Sequence, residues 1–221
     1  MLRDFKTQTI SKLPNLFFGF FLCSFGITMM YKARDLGLGP WDVFHTGVMN
    51  FVPLTFGQIS QLAGFIVILL SMFLGIMPGL GTLLNMIFVG LFIDLIDHSP
   101  LLFTPGTFWG KLIMLQTGVW ILSLGIFFYL KSGLGAGPRD GLMLGLVRRL
   151  NLKVATVKTT IEVLILVLGA LLGGKVGLGT VVVALSMGYA IQVVFKIGKY
   201  DVKTVNHRTL KDEFVLLRKT A

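Results

Sequence analysis

The chain has 221 residues, of which 54% are apolar and only 14% are charged, and its mean hydropathy is +0.83. This number of charged side chains is too small to cover the surface of a soluble globular protein of this size. The composition therefore predicts an integral membrane protein. The net charge of +10 does not indicate nucleic-acid binding, because the Lys and Arg residues lie between and after apolar runs instead of forming one basic surface.

Six apolar segments are about long enough to cross a hydrocarbon core of ~30 Å as helices. The first has a basic lead-in but is too long for a signal peptide and has no small-residue cleavage site, so we expect it to be retained. Two shorter segments carry polar residues and predict re-entrant or interfacial half-helices. The expected fold is therefore an all-α membrane bundle of six transmembrane helices and two half-helices. The spans are 13–33, 57–76, 81–96, 112–130, 154–172 and 178–197, and the half-helices are 39–52 and 137–150.

The two halves of the chain repeat one pattern. Residues 37–42 read GLGPWD and residues 135–140 read GAGPRD, and the same shift of 98 residues aligns two copies of GLGT, at 79–82 and 177–180. The repeat indicates two copies of one unit that pack together. It divides the chain into an N-terminal segment 1–12, a first repeat 13–98, a connector 99–110, a second repeat 111–197 and a basic tail 198–221. Within the tail, residues 206–219 predict either an amphipathic helix on anionic lipid, with Phe214, Leu216 and Leu217 buried, or a solvated segment.

The number of crossings predicts how the repeats are oriented. Three full spans and one returning half-helix in each copy place the second copy in the membrane in the opposite sense to the first, which gives inverted repeats. With the N-terminus inside, 16 of the 20 Lys and Arg residues lie on the inner side, as the positive-inside rule requires. We therefore expect both termini in the cytoplasm.

The repeated Gly-x-Gly-Pro-x-Asp motif has two readings. The glycines permit a sharp turn, the proline suits the first turn of a helix, and the aspartate complements the helix dipole, so the motif is explained as a helix start. Inverted repeats would also bring the two helix starts together near the bilayer centre, where they could hold a substrate or ion. The residues concerned are Gly37, Gly39, Pro40, Asp42, Gly135, Gly137, Pro138, Arg139 and Asp140. Because Arg139 replaces Trp41, such a site would be asymmetric.

A second candidate is a polar stripe on two equivalent spans. Glu162 lies about nine residues into its span, hence ~13 Å deep, where an ionisable group is costly unless it is paired or solvated. Lys158, one turn earlier, could neutralise it or extend to the interface. Gln58 and Gln61 occupy the corresponding turn of the second span, where Gln61 is the equivalent of Thr159 in the fifth span. The stripe predicts either a membrane-embedded polar pathway or hydrogen bonds between helices.

Neither the cysteine nor the histidine content suggests catalysis. The chain has one Cys and three His residues, and their spacing gives no nucleophilic triad or metal-binding pattern. His45 follows Asp42 by three residues and could bond it, and a lone histidine at such a position is expected to be a satisfied interfacial side chain instead of a ligand. We therefore expect no enzyme, no metal and no cofactor.

The paired motifs, each after a span and before a short helix, resemble the YczE/YyaS/YitT group of bacterial integral membrane proteins, and the YczE-like branch most closely. The resemblance covers residues 13–197 and implies a bacterial inner-membrane protein, but it assigns no site residues. Inverted repeats and buried polar groups predict a small-molecule transporter or exporter component that works by alternating access. The alternative is a non-transporting scaffold or regulator that docks through its basic tail. The expected partners are the lipid bilayer, an unidentified small molecule and, as one option, a second copy in a homodimer, but no nucleic acid.

Overall fold

The computed structural model describes residues 9–200 and 208–218, and this part of the chain contains helices and no strand. Two short 3-10 helices lie at Ile10–Lys12 and Arg34–Leu36. The first repeat forms α1 (Leu13–Lys32), α2 (Pro40–Met49), α3 (Phe56–Phe73) and α4 (Leu80–His98). The second repeat forms α5 (Phe108–Lys131), α6 (Pro138–Leu150), α7 (Val154–Leu171) and α8 (Leu178–Ile197), and α9 (Leu210–Arg218) follows.

Six of these helices are long and apolar enough to cross a membrane, namely α1, α3, α4, α5, α7 and α8. They confirm the six predicted spans, with bounds that differ by up to four residues. The two predicted half-helices are also present, as α2 with 10 residues and α6 with 13 residues. At 1.5 Å per residue these helices are ~15 and ~20 Å long, about half to two thirds of the hydrocarbon core.

The first spans of the two repeats, α1 and α5, pack antiparallel at the centre of the bundle. Their backbones approach closely at glycines, as predicted: a Cβ added to Gly26 would lie 2.6 Å from the Gly118 carbonyl oxygen, and one added to Gly19 would lie 2.6 Å from the Tyr129 nitrogen. Small residues permit this distance, and van der Waals contact between close backbones is what holds helices together in lipid. Two clusters of buried apolar side chains, one around Phe20 and one around Leu115, lie on either side of this pair.

Ion pairs mark one end of the bundle, which we call the Lys32 end. Lys32 Nζ lies 2.6 Å from Asp97 Oδ1, and Lys111 Nζ lies 2.5 Å from Asp35 Oδ2. The hydrogen bond from Lys111 lowers the pKa of Asp35, which lies between α1 and α2. The opposite end, where α5 ends, is called the Lys131 end.

The tail helix α9 docks at the Lys131 end. The Leu210 N–H donates to the Pro78 carbonyl between α3 and α4 at 3.0 Å, and the buried Glu213 carboxylate accepts a hydrogen bond from Thr9 Oγ1 at 2.8 Å. Phe214, predicted to be buried in lipid, has 69% of its surface exposed, as a lipid-facing residue would. The predicted helix over 206–219 is thus present over Leu210–Arg218, while residues 206, 207 and 219 lie outside the described residues. Contact of this helix with lipid stays a prediction.

Candidate binding site at the two half-helix starts

Both motifs form the start of a half-helix, in nearly the same conformation. Gly39 is the N-cap of α2 with φ −64° and ψ 159°, and Gly137 is the N-cap of α6 with φ −61° and ψ 160°. The proline follows at the first helical position, as predicted. The carboxylates turn back towards the caps: Asp42 Oδ2 lies 3.8 Å from the position of a Cβ on Gly39, and Asp140 Oδ2 lies 3.5 Å from that on Gly137. Each aspartate therefore places a negative charge at a helix N-terminus.

Each motif loop packs against the GLGT segment of the other repeat. Residues 135–137 lie on the start of α4, where Gly81 N–H donates to Leu134 O at 2.7 Å and Thr82 Oγ1 donates to Ala136 O at 2.6 Å. In the same way Leu38 N–H donates to Lys175 O at 3.2 Å, and Gly37 packs on the start of α8. The sequence repeat revealed both GLGT segments, but hydropathy gave no sign of this exchange.

The contacts along α2 and α6 give the depth at which each half-helix begins. Gly39 lies next to Val183, five residues into α8, and Asn50 after α2 donates to Leu172 O at the end of α7. Pro138 lies next to Gly64, half way along α3, and Gly145 lies next to Leu74, directly after α3. Both half-helices thus start inside the bundle and run outward, α2 to the Lys32 end and α6 to the Lys131 end.

The two helix starts meet at the equivalent residues Trp41 and Arg139. The guanidinium carbon of Arg139 lies 4.4 Å from the centre of the Trp41 ring, the geometry of a cation–π contact. Trp41 is half-buried and Arg139 is exposed. The two helix starts are therefore in contact at these residues, and the difference between the copies places one aromatic ring against one cation.

Acidic groups surround the Arg139 guanidinium. The charges of Asp42 and Asp140, of the two helix starts, and of Glu162 on α7 act on it. Glu162 is half-buried, and it forms no ion pair within 4.0 Å with any of residues 9–200 or 208–218. Lys158 and Thr159, one turn earlier on α7, are exposed. Asp42, Asp140 and Glu162 therefore lie within electrostatic reach of Arg139, whereas Lys158 and Glu162 form no ion pair.

His45 is a buried polar residue that sequence reasoning treated as satisfied, and this was wrong. Its side chain is 1% exposed, its Nδ1 lies 3.9 Å from Asp42 Oδ1, and neither ring nitrogen has a hydrogen-bond partner in the described part of the chain. The ring packs edge-on against Phe56, with centroids 5.4 Å apart. A buried polar group without a hydrogen-bond partner lowers the stability of the fold. His45, beside the Asp42 carboxylate, is such a group in the described part of the chain.

Two residues of the predicted polar pathway have structural contacts. Gln58 completes a capping box with Thr55 at the start of α3, and Gln61 Nε2 donates to Ile87 O on α4 at 2.8 Å. Asp94 on α4 also binds this helix start, accepting from Thr55 Oγ1 at 2.6 Å and from Gly57 N–H at 2.9 Å. These bonds account for Gln61 as a tie between α3 and α4, the second of the two sequence readings, and for Gln58 as part of the cap of α3.

The second repeat lacks the equivalent ties. The counterparts of Thr55, Gly57, Gln61 and Asp94 are Lys153, Ala155, Thr159 and Gln192. Lys153 caps α7 without a side-chain hydrogen bond, and Thr159 and Gln192 are exposed. A Cβ on Gly90 of α4 would lie 2.5 Å from both Gln61 Cγ and Gly57 O, whereas one on the equivalent Gly188 of α8 has no atom within 4 Å. Helices α3 and α4 are therefore packed together, and α7 and α8 are apart.

Comparison with known proteins places this architecture in a family. Residues 10–196 match the model of a protein family described as a family of unknown function, DUF6198. The chain is 32% identical over 188 residues to the uncharacterized membrane protein YczE of Bacillus subtilis (strain 168), covering 85% of this chain and 86% of that protein. It is 38% identical over 162 residues to an uncharacterized protein of Haemophilus influenzae, covering 73% of each chain.

A shorter match links the chain to YyaS of Bacillus subtilis (strain 168), with 41% identity over 58 residues, 26% of this chain and 29% of that protein. No solved structure matches the chain. The family match over residues 10–196 covers both half-helix motifs and their flanking spans, and the YczE match over 85% of the chain confirms the resemblance inferred from the motifs. The chain is thus a membrane protein of the DUF6198 family, related to YczE.

Proposed function

We propose that this protein is a small-molecule transporter or exporter component that works by alternating access between two inverted repeats. The observation that carries the proposal is the difference between two equivalent helix pairs: α3 and α4 are packed together, and α7 and α8 are apart. A pair of related gates, one closed and one open, is what a transporter has in one of its two end states. Trp41 and Arg139 lie between the two pairs.

The inverted arrangement is part of the proposal. The antiparallel packing of α1 and α5, and the outward course of α2 and α6 towards opposite ends, support it. Between the terminal segments the two ends carry four cations each, Lys131, Arg148, Arg149 and Lys153 against Lys32, Arg34, Lys111 and Lys175, so the charge difference comes from the three cations before α1 and the seven from Lys196 onward. This difference supports an orientation with the Lys131 end and both termini in the cytoplasm, and we propose the inner membrane as the location.

In this orientation the structure corresponds to an inward-facing state. The α3–α4 pair is held together at the external side by the hydrogen bonds that Asp94 accepts from Thr55 and Gly57. The α7–α8 pair is open towards the cytoplasm along a face that includes Thr159 and Glu162. Exchange of the two conformations between the repeats would break the Asp94 bonds and bring Gly188 against Thr159, which gives the outward-facing state.

Cysteine accessibility tests the mechanism. The only native cysteine, Cys23, is 3% exposed, so added cysteines dominate labelling. We expect Thr159→Cys to react with a membrane-impermeant thiol reagent from the cytoplasmic side, and the equivalent Gln61→Cys to react slowly. A disulfide between Thr159→Cys and Gly188→Cys should close the α7–α8 gap and speed labelling of Gln61→Cys from the outside. If closing the gap leaves Gln61→Cys unchanged, the alternating mechanism is wrong.

Two further measurements test topology and transport. Leu101→Cys in the connector and Leu152→Cys before α7 should label from opposite sides of the membrane; labelling from one common side contradicts the inverted repeats. Cells producing the wild type, Glu162→Gln or a matched surface variant, Asp35→Asn, should then be compared for metabolite efflux. Transport predicts that only Glu162→Gln resembles the deletion strain. If instead only removal of residues 198–221 has an effect, the protein is a scaffold or regulator.

A further inference from the structure

We propose that the cavity between α9 and the α3–α4 hairpin binds one anionic phospholipid, with an acyl chain along α3 and the headgroup at Lys211. The cavity lies at the Lys131 end of the bundle, and no residue of either half-helix motif lines it. The lipid site is therefore independent of the transport proposal. Three observations support it: the apolar lining of the cavity, its depth along α3, and the charge at its edge.

The cavity is almost entirely apolar. Its volume is about 730 Å³, within the ~300–1,000 Å³ of ligand pockets. Eleven of its twelve lining residues are apolar, and Lys211 is the exception. A buried water needs roughly two to four polar partners, so this lining suits a hydrocarbon group better than water. Three of the apolar residues are Met72, Met77 and Met86, whose flexible side chains adapt to the shape of a bound chain.

The depth of the cavity matches a lipid chain. Its wall on α3 runs from Phe65 to Met72, and the helix ends at Phe73. The cavity therefore extends about eight residues, or ~12 Å, below the end of α3, whereas one leaflet contributes about 15 Å, half of the ~30 Å hydrocarbon core. Phe65 is 49% exposed and Phe214 is 69% exposed, so the cavity opens to the surrounding lipid. A chain can enter from the bilayer while its headgroup stays at the interface.

The one charged residue that lines the cavity is a cation. Lys211 lies in the first turn of α9, is exposed, and forms no ion pair with any described residue. The neighbouring carboxylates have other partners. Asp212 accepts hydrogen bonds from the Thr209 N–H and hydroxyl, both at 2.8 Å, and the buried Glu213 accepts one from Thr9. A phosphate at this edge of the cavity would meet the Lys211 ammonium and form a charge-assisted hydrogen bond.

An anionic phospholipid is the occupant that this lining favours. A peptide segment at this depth would leave backbone N–H and C=O groups without partners, because the lining side chains offer only the Lys211 ammonium. A zwitterionic lipid would fill the cavity with its chain but would place a second cation near Lys211. An anionic phospholipid supplies both the apolar chain and a net negative charge, which a lysine at the membrane surface attracts.

Native mass spectrometry of the full chain tests the proposal. The protein, purified in detergent, is titrated with dioleoyl phosphatidylglycerol, which is anionic, and with dioleoyl phosphatidylcholine, which has the same chains and a zwitterionic headgroup. We expect one saturable phosphatidylglycerol per chain and about fivefold weaker binding of phosphatidylcholine, the effect of ~1 kcal/mol for one lysine near an anionic lipid. Equal affinities, unsaturable addition of several lipids, or a dimer without bound lipid would overturn the proposal.

Lysine variants test the contact with the headgroup. Lys211→Gln should remove the preference for phosphatidylglycerol, so that the two lipids bind about equally. Lys196→Gln is the matched control, because Lys196 is an exposed lysine in the last turn of α8 that does not line the cavity. Far-UV circular dichroism and a monodisperse elution profile establish that each variant is folded. A preference that persists in Lys211→Gln, or that is lost equally in Lys196→Gln, would contradict the contact.

A filled cavity and a photoreactive lipid test where the chain lies. Val215 lines the cavity and is 53% exposed, so Val215→Trp should weaken the binding of both lipids. Leu185→Trp, at a position on α8 that is 76% exposed, should bind as the wild type does. In the wild type, phosphatidylglycerol with a diazirine on its acyl chain should crosslink to α3, α4 or α9. Crosslinks confined to α7 and α8 would overturn the site, whether or not the variants fold.

Discussion

The guanidinium of Arg139 and the indole ring of Trp41 are in contact at 4.4 Å although they lie 98 residues apart and occupy the same position of two copies of one motif. This contact connects the starts of α2 and α6, which run outward to opposite ends of the bundle. A motif that reads locally as a helix start therefore also joins the two repeats at their centre.

The contact should contribute measurably to stability. In a double-mutant cycle of Trp41→Leu and Arg139→Gln, we expect a coupling of about 1 kcal/mol, within the 0.5–2 kcal/mol typical of cation–π contacts. Unfolding in detergent micelles measures it. A cycle of Arg139→Gln with Trp120→Leu is the control, because Trp120 packs against Tyr189 instead. Additive effects in the first cycle would show that the two residues do not interact in solution.

The exchange between motif loops and GLGT segments gives a second prediction. Thr82 Oγ1 accepts from Gly79 N–H and donates to Ala136 O of the other repeat, so Thr82→Val should lower the unfolding free energy by about 1–3 kcal/mol. Thr28→Val is the matched control, since this buried hydroxyl donates only to Ser24 O in its own helix. Equal losses in the two variants would mean that the bond between repeats adds nothing beyond a local one.

The equivalent glycines Gly90 and Gly188 should respond in opposite ways to the same substitution. Gly90→Ala introduces a Cβ 2.5 Å from Gln61 Cγ and Gly57 O, so we expect a loss of about 1–3 kcal/mol from overpacking. Gly188→Ala places its Cβ in open space within α8, so the higher helix propensity of Ala should raise stability by up to ~1 kcal/mol. Thermal unfolding of both variants measures the difference. A destabilised Gly188→Ala would indicate that α7 and α8 are packed together in solution.

The Asp35–Lys111 pair at the Lys32 end predicts a pH dependence. The hydrogen bond from Lys111 holds the pKa of Asp35 below its ordinary value of 3.8 in the folded protein. The pair therefore stabilises the fold above that ordinary value and loses its effect as the pH falls through the lowered pKa. Because 62% of the Asp35 side chain is exposed, the effect should stay within the ~1 kcal/mol of surface pairs.

The measurement compares the melting temperature of Asp35→Asn with that of the wild type from pH 6 down to pH 2. Their difference should shrink on acidification and should be absent at every pH in a Lys111→Met background. A difference that persists in that background would have a cause other than this pair.

Several features of the site can be predicted from the sequence, because they are encoded by neighbouring residues. Gly39 and Gly137, Pro40 and Pro138, and Asp42 and Asp140 encode a helix start locally, and both helices begin where these residues predict. The role of His45 was missed, because whether a histidine has a partner depends on side chains such as Phe56, which follows it by eleven residues and packs against its ring.

The six membrane-spanning helices, the two half-helices and the repeat can be predicted from the order of the residues, because apolar length, helix-start residues and internal similarity do not depend on packing. Three features could be seen only in the folded protein. Each motif loop packs on the GLGT segment of the other repeat, and Arg139 contacts Trp41. Helices α3 and α4 are packed together, whereas the equivalent α7 and α8 are apart. These features depend on contacts between residues about 30 to 140 positions apart. No pattern of hydropathy records which distant backbones approach each other, so packing alone selects them.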